Sequence, residues 1–121
     1  MVNWQEILGW NEEQIHDIRS IAYAYLRQGA YDIAKDLLHL SRMLDPGHPY
    51  ELQQLGAISL EEGNLKDAIQ WLEEALRADP QHQPTRLNWA KALLTAGRLD
   101  EGLVVVQQLS QSQNLAIAQD A

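Results

Sequence analysis

Between Pro49 and His82 the apolar residues fall at helical spacing twice. Leu52, Leu55, Gly56, Ser59 and Leu60 recur at three- and four-residue steps, Glu62-Gly63-Asn64 interrupts the pattern, and Ala68, Ile69, Leu72, Ala75 and Leu76 resume it. This predicts two helices joined by a tight break, a helical hairpin. Gly63 can take the left-handed conformation that ends the first helix, and Asn64 can cap the free amides that open the second. Pro80 stops the second helix. Pro84 opens the next, where its missing amide hydrogen leaves no intrahelical bond unmade.

The hairpin is one copy of a repeat. Gly29, Gly63 and Gly97 stand 34 residues apart, and Ala34 with Ala68, and Asp45-Pro46 with Asp79-Pro80, keep the same step. The period divides the chain into a lead over 1–14 and units over 15–48, 49–82 and 83–121. Small residues recur where two helices must approach closely: Ala22, Gly56 and Ala90 on the first helix of each unit (A), Ala34 and Ala68 on the second (B). Larger partners are expected to fill the gaps: Ile18, Ile21, Tyr25, Leu52, Leu55, Trp89 and Leu93 from the A helices, and Leu38, Leu72 and Val106 from the B helices. In the third unit Gly102 replaces the alanine and no proline follows near Asn114, so its B helix is expected to run on toward Gln119.

These co-spaced small and large positions resemble the tetratricopeptide repeat, over about 107 of the 121 residues. The resemblance implies an all-α solenoid of three helix-turn-helix hairpins with a short N-terminal helical segment. The middle unit departs from the family pattern at Ser59, where an aromatic is preferred.

Composition narrows the chemistry. Seventeen acidic against nine basic residues leave a formal charge of −8, which repels nucleic acid. The charge is uneven: −3 over 1–14, balance in the first unit, −5 in the second, balance in the third. With no cysteine, disulfides, thiolate nucleophiles and cysteine-based zinc sites are excluded, and the expected compartment is the cytoplasm. No apolar run approaches the roughly 20 residues of a membrane span, and Met1 to Trp10 lacks the pattern of a secretory signal. The histidines, His16, His39, His48 and His82, lack the i, i+4 spacing of paired metal ligands and read as solvated loop residues; no metal or cofactor is expected. Glu61-Glu62 and Glu73-Glu74 read as solvating charge rather than a paired-acid site. With no nucleophile elbow or phosphate-binding loop, the expectation is a non-enzyme.

Function then rests on surfaces. In stacked hairpins the A helices line the concave face, which usually holds an extended peptide. The positions expected there are His16, Arg19, Tyr23 and Leu26, then Tyr50, Gln53, Ala57 and Leu60, then Leu87, Lys91 and Leu94. Leu26, Leu60 and Leu94 form a ladder at the repeat step, either open to an apolar peptide or packed between neighbouring A helices. Only Arg19, Asn88 and Lys91 would suit an acidic tail. The ends of the stack offer a second kind of surface. Trp4, Ile7, Leu8 and Trp10 either cap the first unit or dock on a second copy. At the other end Val104 to Leu109 is apolar around much of the helix, with only Leu115, Ala116 and Ile117 as cover, so a homodimer or a tightly bound partner is expected.

Within the tetratricopeptide class, Ile21-Ala22-Tyr23 leading to Gln28-Gly29-Ala30-Tyr31, then Met43-Leu44-Asp45, Leu55-Gly56-Ala57 and Ala90-Lys91-Ala92-Leu93-Leu94 leading to Gly97 resemble the chaperones of bacterial type III secretion that hold translocators. That resemblance implies a groove gripping an extended segment of a secreted protein. The short lead departs from those chaperones, and the length is closer to the co-chaperone of the needle subunit. A general adaptor that joins folded partners is the competing reading.

Overall fold

A computed structural model describes residues 2–120, and side chains as far as Ser112. Among the described residues the chain forms seven helices and no strand: α1 Trp4–Leu8, α2 Glu12–Arg27, α3 Tyr31–Leu44, α4 Pro49–Glu61, α5 Leu65–Ala78, α6 Gln83–Thr95 and α7 Leu99–Asp120. The last helix runs on past Asn114, as the missing proline predicts. After α1, the helices pair as α2/α3, α4/α5 and α6/α7, each pair packing on the next through α3/α4 and α5/α6. Helix α4 also packs against α6, joining their A-helix faces.

Local chemistry sets these boundaries. Gly63 adopts φ 77°, with Gly29 at 78° and Gly97 at 84°, conformations that L side chains rarely adopt. The Asn64 side chain accepts from the Asp67 amide at 3.4 Å, and the first helix of the repeat region opens with a full capping box between Asn11 and Gln14. Pro49 and Pro84 sit in the opening turns of α4 and α6.

The core consists of three clusters. Ile15, Ile18 and Leu44 form one under Trp10; Ala22, Ala34, Leu38, Leu55 and Ile58 join the first hairpin to the second; Ala68, Ile69, Leu72, Ala90, Ala92, Leu93 and Val105 join the second to the third. The small residues predicted at close approaches are buried. At Gly56 a Cβ would lie 2.6 Å from Leu72 Cδ2, so nothing larger than glycine fits without movement.

Two expected core residues are not core. Ile21 is 49% exposed and Val106 is 38% exposed. Both occupy registers buried in other hairpins, but Ile21 faces the side where a preceding hairpin would pack, and Val106 the side where a following one would. Val105 takes the buried position instead.

Candidate functional site

The A-helix face carries a depression of about 380 Å³ between α2 and α4, lined by His16, Arg19, Ser20, Tyr23, His48 and Tyr50. Helical spacing places its α2 wall. Residues 16, 19, 20 and 23 fall at steps of three and four and so share one face. The α4 wall begins at the cap of that helix, where His48 Nδ1 accepts from the Tyr50 amide at 3.2 Å. His48 was expected as a solvated loop residue; it is exposed, but it caps α4, a role signalled only by the proline that follows it.

Beneath the depression lies an ion cluster that the sequence reading missed. The Arg19 guanidinium donates to Glu51 Oε1 and, through Nη2, to Asp45 Oδ2 at 3.0 Å. Glu51 is 0% exposed, and its Oε2 has no hydrogen-bond partner among the described residues. Burial alone would lower the Arg19 pKa, but the bonds to Glu51 and Asp45 outweigh it and hold the guanidinium above its ordinary value. Arg19 thus clamps α2 to the α3–α4 connection and to α4. Burial and the adjacent Glu51 carboxylate raise the Tyr50 phenol.

The expected groove residues separate into four groups. Arg19, Tyr23 and Tyr50 come together with His16 in the depression, and Tyr23 remains 48% exposed. The leucine ladder is half-buried: Leu26 packs with the cluster containing Ala34, Leu60 with that containing Ala68, and Leu94 lies where a Cβ on Gly102 would come within 2.8 Å of it. The small B-helix residue lets the helices approach, and the leucine rests against it; the ladder therefore contributes first to packing. Gln53 is buried, Ala57 is half-buried and Lys91 is exposed. Leu87 lies outside the depression, in a separate cavity of about 320 Å³ with Gln83, Pro84 and Leu109 at the C-terminal end of the stack.

At the N-terminal end, Trp10 packs on Ile15, Ile18 and Leu44, and Gln5 Nε2 donates to the Leu44 carbonyl at 2.5 Å, so the lead covers part of the first hairpin. Trp4, Ile7 and Leu8 stay exposed. At the other end Val104 is exposed and Leu109 half-buried, while the expected covering residues Leu115, Ala116 and Ile117 have side chains outside those described.

The acid pairs are not merely solvating. Glu62 accepts from Lys35 Nζ at 3.0 Å and Glu74 from Arg42 Nη2 at 3.4 Å, each bridging the first two hairpins. On the B-helix side a cavity of about 480 Å³ is lined by Gln70, Trp71, Glu73, Glu74 and Arg77. The Arg42 guanidinium already lies over the Trp71 ring, 5.3 Å from its centroid.

The family model described as tetratricopeptide repeat matches residues 59–120. A search of curated protein sequences returns no match. Among solved structures, the type III secretion translocator chaperone SycD of Yersinia enterocolitica superposes with a TM-score of 0.76 at 20% identity, over 90% of this chain and 84% of that one. A type III secretion complex from Aeromonas hydrophila gives 0.79 at 18%, over 92% and 76%. The first tetratricopeptide domain of Spaghetti, bound to an HSP90 peptide, gives 0.75 at 13%, over 92% and 97%. At these identities the likeness is one of fold.

Proposed function

The chain belongs to the tetratricopeptide-repeat family, and on that premise we propose that it is a non-enzymatic protein-binding module whose A-helix face holds an extended apolar segment of a partner. The carrying observation is the depression between α2 and α4, where Tyr23 and Tyr50 offer aromatic contact area from two different hairpins. The guanidinium in its lining, Arg19, is already engaged by two carboxylates, which argues against an acidic tail as ligand. The solved Spaghetti domain carries the peptide SRMEEVD, and this depression does not offer that acidic sequence a free guanidinium.

The partner is a type III secretion substrate held in the cytoplasm before export. The likeness to SycD and to the Aeromonas complex supports this reading alongside the groove chemistry. The adaptor reading predicts capture of several folded proteins instead of one secreted protein. Tyr23→Ala tests the site: Tyr23 is 48% exposed, so its loss should leave the fold intact while weakening partner capture at least tenfold. Unchanged capture in pull-down with the cognate secreted protein would move the binding surface elsewhere.

A further inference from the structure

The two ends of the stack are complementary halves of an interface that the chain builds twice within itself. At the first junction Leu38 of one hairpin packs in a cluster with Leu55 and Ile58 of the next; at the second, Leu72 packs with Ala90, Ala92 and Leu93. Leu38 is 1% exposed and Leu72 0%. Val106 stands one repeat beyond Leu72, and it is 38% exposed. Leu103, one repeat after the buried Ile69, is exposed as well. Helix α7 continues unbroken to Asp120, so this stretch prolongs the helix and does not fold back over the face.

The covering half of the junction is also present, unused, at the other end. Leu55 and Ile58 have their register counterparts in Ile21 and Ala24 on α2, and both are exposed. Trp10 packs on the cluster that contains the neighbouring Ile18, while Ile21 and Ala24 stay exposed.

We propose that a second copy of this chain stacks head to tail, its Ile21 and Ala24 packing on Val106 and Leu103 of the first, so that the solenoid continues across the junction. Such a contact is heterologous, with different patches on each side, and it adds copies in a row unless something stops it. It lies at the stack ends, apart from the Tyr23–Tyr50 depression, and stands or falls independently of what that depression binds.

Charged substitutions at the two ends distinguish this arrangement from a symmetric dimer. Ile21→Asp and Val106→Asp each place a carboxylate on a residue exposed in the single chain, so both variants should fold, with unchanged far-UV circular dichroism. In sedimentation velocity the wild type should show a mass that rises with concentration beyond the dimer. Each variant alone should need at least tenfold more protein to associate, and an equal mixture should form one 1:1 dimer and nothing larger, because the mixture retains one intact junction. Since the chain has no cysteine, Ile21→Cys and Val106→Cys give a second readout: the mixed pair should cross-link on oxidation far more than either alone. A wild type that stays monomeric overturns the proposal. Association unimpaired in Ile21→Asp, or Val106→Cys linking chiefly to itself, would instead mean a symmetric contact between C-terminal ends and equally overturns it; association unimpaired in Val106→Asp does so in favour of the N-terminal ends.

Discussion

Replacing Gly56 by alanine sets two effects of opposite sign against each other. Glycine inside a helix is less stable than alanine by about 0.5–1 kcal/mol, so on propensity alone the change in α4 stabilises. The added Cβ, however, would lie 2.6 Å from Leu72 Cδ2, 2.7 Å from Cγ and 3.3 Å from the Leu72 backbone nitrogen. Leu72 is 0% exposed and sits in a cluster with Ala68, Ala90 and Leu93, so it has no open side toward which to rotate. Overpacking of this kind costs about 1–3 kcal/mol. Sterics win, leaving a net loss of about 1 kcal/mol and a fall in Tm of about 4 °C. Gly102→Ala is the matched control. There the Cβ would lie 2.8 Å from Leu94 Cγ and Cδ2, but Leu94 is only half-buried and can turn outward, so strain and propensity should nearly cancel. Urea unfolding followed by circular dichroism measures both, with an unchanged slope confirming comparable end states. A Gly56→Ala midpoint at or above wild type, or equal losses from the two variants, would show that Leu72 is not confined as described.

Ala68→Leu adds three carbons where α5 meets its neighbours and should lower stability by about 1–3 kcal/mol in the same assay. Glu51→Gln keeps the shape but removes the buried charge opposite Arg19, which retains only Asp45; a loss of about 1–3 kcal/mol is expected, and an unchanged urea midpoint would mean that the clamp contributes nothing. The Tyr50 phenol, raised by burial, stays protonated in the folded chain at pH values where the unfolded chain ionises it. Its contribution is therefore complete below about pH 10 and declines as pH rises through the folded value; Tyr50→Phe should flatten the fall in urea midpoint as pH rises above about 10, and parallel curves would refute this.

What the sequence made legible follows from periodicity. A break every 34 residues, carried by Gly29, Gly63 and Gly97, is a local signal: each glycine needs φ > 0 for its own turn, whatever packs around it. The same holds for Asn64 and Pro49. The register of Ala34, Ala68 and Gly102 was legible too, because two helices in contact leave room only for small side chains. Ile21 and Val106 misled because the repeat pattern assigns each a core position without saying whether a neighbour exists to cover it. The geometry of the candidate site was legible in part. Tyr23 and Tyr50 could be placed on the A-helix face by register, but the pairing of Arg19 with Glu51 joins residues in different hairpins, and no spacing along the chain announces it.

That pairing changes what the depression can do. Its two walls belong to different hairpins, and the Arg19 cluster beneath ties α2 to α4 and to Asp45 in the connection between them. A segment lying between Tyr23 and Tyr50 therefore bridges a junction whose geometry is already fixed, so little of its binding free energy is spent on ordering the walls. An acidic segment would instead meet Glu51 and Asp45 with only a guanidinium they already share, so the fixed junction favours an apolar segment over an acidic one.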